Sequence, residues 1–123
     1  MDFAISAPLR ALEHRIKDFV REEIIPYEQD ARWTAHGPTD DLRRDLNARA
    51  KRAGVFAPHV SKEYRGLGLS HVGRAVAFTA AGYSILGPIA LHCAAPDEGN
   101  MHLLEVIATE EQRERYLRPL ATG

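Results

Sequence analysis

Apolar positions along this chain recur at three- and four-residue steps, the period of helices that bury one face. Leu9, Leu12, Ile16, Phe19, Val20 and Ile24 mark the first such face, with Arg10, Glu13, Lys17, Asp18 and Arg21 opposite. Pro8 suits the opening turn, where its missing N–H is no loss. Pro26 removes a hydrogen bond and clashes with the preceding turn, so it kinks or ends this helix. A shorter helix over about residues 27–35 is expected next, stopped at Gly37-Pro38. Thr39 is an N-cap residue, and Asp40 and Asp41 follow it where the helix dipole favours acids. Leu42, Leu46, Ala50 and Ala53 form the apolar stripe of that helix, and Gly54 is its C-terminal stop.

A short extended piece, Val55-Phe56-Ala57-Pro58, leads into a loop over residues 62–69 that holds Gly66 and Gly68. Ser70 caps a helix rich in small residues that runs to about residue 84, with Val72, Val76, Thr79, Ala80 and Tyr83 on one face. Small side chains allow close approach, which predicts a central position for it. Gly87-Pro88 opens a further helix with Ile89, Leu91, Cys93 and Ala94, and Pro96 interrupts it. Asp97-Glu98 begins another, holding Met101, Leu104, Val106 and Ile107. Thr109 and Gln112 have the spacing of a capping box, and Tyr116, Leu117 and Leu120 of the last helix are expected to point inward. No stretch alternates with period two for long enough to build a sheet. The predicted fold is all-α, an up-and-down bundle of five to six helices in a single domain over residues 1–123.

Composition narrows the function classes. Lys and Arg number 16 against 17 Asp and Glu, a formal charge of −1, without the basic excess of a nucleic-acid-coating protein. Cys93 is the lone cysteine, so no internal disulfide forms, as expected in a reducing compartment. No apolar run approaches the roughly 20 residues that span a bilayer. The opening Met1-Asp2-Phe3-Ala4-Ile5-Ser6 has an acid where a secretory leader carries a base, so the expected location is cytoplasmic.

Four clusters invite a chemical reading. His92 and Cys93 could pair as base and nucleophile, but neighbours on a helix point about 100° apart, and a small core thiol explains the cysteine as well. Glu98, His102 and Glu105 share a helix face and could ligate a metal, yet no second ligand pair accompanies them and a solvated face has the same spacing. Arg43, Arg44, Arg49, Lys51 and Arg52 could hold phosphate, but Asp40, Asp41 and Asp45 interleave them, the pattern of an exposed charge-laced helix. Gly66-Leu67-Gly68 lacks the βαβ setting of a dinucleotide loop, so its glycines are expected to serve positive φ. No catalytic constellation is complete.

Three stretches in order carry a resemblance. They are Pro58-His59-Val60-Ser61-Lys62-Glu63-Tyr64-Arg65-Gly66-Leu67-Gly68-Leu69-Ser70, then Cys93-Ala94-Ala95-Pro96-Asp97-Glu98-Gly99-Asn100-Met101, and finally the run from Thr109-Glu110-Glu111-Gln112 to Arg118-Pro119-Leu120-Ala121-Thr122-Gly123. Together they resemble the N-terminal helical domain of the FAD-dependent acyl-CoA dehydrogenases, the second stretch most like the branch associated with long or branched acyl groups. Two departures stand out: Arg65-Gly66 where the family has a glycine pair, and Thr79-Ala80-Ala81 where it has acids.

The resemblance implies α,β-dehydrogenation of acyl-CoA thioesters by an enzyme with a middle β-domain and a C-terminal helical domain, both absent from this chain. FAD is then held mainly by those two domains, and the catalytic glutamate comes from the last. No catalytic or cofactor-binding residue is carried over to these positions, and the chain alone is expected to be inactive. An electron-transfer flavoprotein or another acceptor, and a homo-oligomer, are implied for the complete enzyme. Leu91, Ala95 and Gly99 align with the acyl-channel wall, and their spacing of four puts them on one face if the helix runs on through Pro96. A stand-alone helical binding module with the fold but not the chemistry is the other reading. The expected chain continues past Gly123, and an isolated domain is expected to expose apolar surface and self-associate.

Overall fold

A computed structural model describes residues 4–123; the first three residues of the stretch weighed as a leader lie outside the described residues. The helical reading holds. Helix α1, Ala7–Phe19, runs on through a π-helical turn at Val20–Ile24 into a 3-10 turn at Ile25–Gln29, which carries Pro26. Its apolar stripe, from Leu12 and Ile16 to Val20 and Ile24, is buried. Here the expected helix over residues 27–35 gives way to a small antiparallel ladder, β1 (Trp33–Thr34) with β2 (Gly37–Pro38), Trp33 opposite Pro38. The cause is local. Asp30 accepts the Arg32 backbone N–H at 2.8 Å and its guanidinium at 3.0 and 2.8 Å, while the Thr34 hydroxyl donates to the Gly37 carbonyl at 2.8 Å. Such side-chain bonds hold the backbone in a turn rather than a helix.

Helix α2, Asp40–Ala53, begins on the Thr39 hydroxyl, which accepts the Leu42 N–H, and ends on Gly54 in the left-handed conformation, as its sequence predicts. The following segment runs irregularly through Val55, Phe56, Ala57 and Val60, all buried, and a 3-10 turn at Lys62–Tyr64. Helix α3, His71–Ala81, starts at Ser70, whose hydroxyl accepts the Gly73 N–H. Its buried face is Gly73, Ala77, Ala80 and Ala81, packed against α1. This corrects the face expected from sequence: Val72 and Tyr83 stand 60% and 65% exposed and Thr79 is exposed too. The smallest side chains, not the largest, turn inward because only they let two helix backbones come close.

Helix α4 (Gly87–Ala90) packs on α2, and helix α5 (Asp97–Ile107) lies against the last helix. That helix consists of α6 (Glu110–Gln112), a π-helical turn (Arg113–Leu117) and α7 (Arg118–Ala121), and it starts with the full Thr109–Gln112 capping box. Leu117 and Ala121 are buried and Leu120 is half-buried, whereas Tyr116 is exposed, against expectation. The extra residue of the π turn shifts the helical phase, so positions counted at an even 3.6-residue period drift off the core. Val106 and Ile107 of α5 also face outward. Among the described residues no helix is long and apolar enough to cross a membrane.

Candidate functional site

The three positions aligned with an acyl-channel wall do not share one helix face. Helix α4 ends at Ala90, and the chain then bends at His92 with φ +58° before α5 starts at Asp97. A left-handed non-glycine residue breaks helical phase, and Pro96 adds a cis peptide bond after Ala95. Leu91 is therefore fully buried, its carbonyl accepting the Ala57 N–H at 2.8 Å. Ala95 is exposed at the rim of a cleft of about 240 Å³ that also touches Ile89, His92 and Asp97. Gly99 is exposed on the first turns of α5, and a Cβ built there meets no atom within 4 Å. One turn further, Leu103 is exposed, followed by Val106 and Ile107. An apolar stripe, Leu103, Val106 and Ile107, thus runs along the outer face of α5 between exposed Asn100 and His102, with a notch at Gly99. Sequence reading assigned Val106 and Ile107 to this helix but missed Leu103; its spacing of four from Gly99 was the available signal.

The His92–Cys93 pair is structural. The His92 ring stacks on Phe56 with centroids 5.2 Å apart, and its Nε2–H donates to the Leu120 carbonyl at 2.8 Å, which ties the bend to the last helix. Cys93 is buried, and burial pushes its thiol up to about 12, far from thiolate chemistry at neutral pH. The carboxylate of Glu105, proposed above with Glu98 and His102, accepts the Ser61 N–H at 2.9 Å and joins α5 to the glycine loop. Among the described residues no group of three or more His, Cys, Asp and Glu is placed to hold a metal ion. Three of the five α2 cations are paired, Arg43 with Asp40, Arg44 with Asp41, and Arg49 with Asp45 and Glu23, while among the described residues Lys51 and Arg52 have no acidic partner.

The glycine loop folds back on itself. The Gly68 N–H donates to the Val60 carbonyl at 2.8 Å, and Gly68 takes the expected positive φ. Gly66 serves close approach instead, since a Cβ there would lie 2.1 Å from the Val60 oxygen. Arg65 itself is left-handed, at φ +68°. Sequence reading also passed over His59, fully enclosed and packed edge-on to Phe78, with neither ring nitrogen hydrogen-bonded. Burial lowers its pKa to about 4; His92, Arg74 and His102 push the same way and Glu105 opposes them.

Residues 6–123 match the N-terminal domain family of the acyl-CoA dehydrogenases. The chain belongs to the acyl-CoA dehydrogenase family. It is similar over its whole length, at 37% identity, to a Mycobacterium tuberculosis protein named as the acyl-CoA dehydrogenase FadE2. Over 97% of its length it is 32% identical to mouse acyl-CoA dehydrogenase family member 10. A solved Mycobacterium abscessus structure assigned to the same enzymes superposes with a TM-score of 0.79 over 97% of this chain, at 30% identity. The chain spans 31% of the first relative, 12% of the second and 32% of the solved structure. This is the N-terminal helical domain of that family.

Acyl-CoA dehydrogenases in general depend on FAD. The clefts beside Phe56 and Ala95 measure about 280 and 240 Å³, below the roughly 300–1,000 Å³ that encloses even a drug-sized ligand. The glycine loop is turned onto Val60 and Lys62.

Proposed function

We propose that this domain serves an FAD-dependent enzyme that desaturates acyl-CoA thioesters between the α and β carbons in acyl catabolism, and that it supplies one wall of the acyl pocket. The whole-chain match to the family carries this reading. The chemistry needs a polarised thioester carbonyl, a base for the α-proton and an acceptor for the β-hydride, the last being what a bound flavin supplies. None of these falls to residues of this chain. Their part is to keep the acyl chain dry, because water around the reacting carbons weakens every electrostatic effect on them.

The apolar stripe on the outer face of α5 is suited to that role. Ala95 and Gly99 line the wall, and Leu91 supports it from beneath. The small side chains at 95 and 99 leave the pocket deep, in favour of long or branched acyl groups. The complete enzyme passes electrons to an electron-transfer flavoprotein or similar acceptor, works as a homo-oligomer and acts in the cytoplasm.

The test is an assay of the native-length polypeptide with short, long and branched acyl-CoA and an electron-accepting dye. Dye reduction with formation of the 2-enoyl thioester is expected. No turnover on any acyl-CoA, with flavin bound, would overturn the proposal.

A further inference from the structure

Where the glycine loop meets the last helix, a cleft of about 280 Å³ opens between Lys51, Phe56, Arg65, Leu67 and Thr122, separated from the Ala95 cleft by the stacked Phe56 and His92 rings. It shares no lining residue with Leu91, Ala95 or Gly99. Its floor is apolar, Phe56 and Leu67, and its rim is cationic. Lys51 lies 4.7 Å from the centroid of the Phe56 ring and donates to the Thr122 carbonyl, so its ammonium is held at the cleft rather than free to swing away. Arg65 is exposed, and among the described residues no carboxylate lies within ion-pair distance of either Arg65 or Lys51. Arg43, Arg44 and Arg49, earlier on α2, do have acidic partners, while Arg52 on the same helix has none among the described residues.

A second cleft of about 190 Å³ adjoins the first through Arg65 and Thr122 and adds Tyr64 and Arg118. Arg118 lies 5.1 Å from the centroid of the Tyr64 ring and pairs with Glu114 at 2.7 Å. Tyr64 is buried and its hydroxyl has no hydrogen-bond partner. Arg65 also takes φ +68°, a conformation that glycine adopts far more readily than a long side chain. A guanidinium thus stands at a backbone position that favours glycine, without an ion-pair partner among the described residues, at the junction of two clefts.

We infer that the Arg65 cleft binds a small organic oxyanion, a phosphate or carboxylate on a flat apolar stem, with its charge on Arg65 and Lys51 and its stem on Phe56 and Leu67. Arginine matches the planar fork of such groups, and the apolar floor selects against inorganic ions.

The test is a chemical-shift titration of the native-length polypeptide with phenyl phosphate and benzoate, and with inorganic phosphate and benzyl alcohol as controls. Saturable shifts at Phe56, Arg65 and Leu67 are expected for at least one aromatic anion, with affinity at least about tenfold above either control. Arg65→Gln should weaken that binding about tenfold or more. Arg65→Gly should do the same while melting no lower than the parent chain, because glycine suits the backbone there. Equal affinity for benzyl alcohol, undiminished binding by either folded variant, or no saturable shift at those residues would each overturn the inference.

Discussion

His59 is enclosed without a hydrogen bond to either ring nitrogen, and its charged form has nothing to offset desolvation. Its pKa is about 4 in the fold against about 6.5 in an unfolded chain. Below pH 6.5 the unfolded state therefore takes up a proton that the native state refuses. The stability is complete above pH 6.5 and is lost as pH falls towards 4. His92, also lowered by burial, adds in the same direction. The expected loss from pH 7 to 4.5 is about 1–3 kcal/mol, read from urea unfolding, and His59→Leu should flatten the profile. A profile unchanged by that substitution would show that the acid sensitivity lies elsewhere. Gly99 calls for a different experiment. Its Cβ position is open within this domain, so Gly99→Leu should leave folding stability within about 0.5 kcal/mol of the parent. In the complete enzyme it should depress kcat/KM for long acyl-CoA far more than for short ones. Equal losses on both would remove Gly99 from the pocket wall.

At the scale of elements, the α1–α3 contact rests on small residues. Ala77 and Ala80 are fully buried on the side of α3 that faces α1. Ala77→Leu should overpack that contact and cost about 1–3 kcal/mol, whereas Thr79→Leu, on the exposed side, should stay within about 0.5 kcal/mol; thermal unfolding of the two variants checks the contrast. Elements whose ends are set by short-range chemistry were readable without coordinates: Thr39 and Gly54 bound α2, Ser70 starts α3, and Thr109 with Gln112 starts the last helix. What escaped depends on details that periodicity does not carry. The Asp30–Arg32 bonds turn the chain into a ladder, and the π turn displaces Tyr116. On α3 both faces are apolar enough to be buried, and the choice falls to backbone proximity. The aligned wall positions do not form one face because the helix does not run on through Pro96, the residue that signalled the break, and the left-handed bend at His92, which the sequence reading did not foresee, adds to it.

Across the whole molecule, the apolar surface is uneven. Val72, Tyr83 and Ile85 are exposed at α3 and just after it, and Leu103, Val106 and Ile107 on α5. Side chains of this size in such groups are the mark of surfaces that meet other surfaces. The 123-residue chain should therefore self-associate, seen as a concentration-dependent rise in apparent mass by light scattering. A monomer at every concentration up to about 1 mM would count against it. The bend at His92 has one more effect. It divides the stretch from Leu91 to Gly99 between two constituencies, one answering to the interior and the other to whatever lies outside. Under the proposed acyl-wall role of Ala95 and Gly99, selectivity is retuned by changing letters after the bend, with the foundations undisturbed.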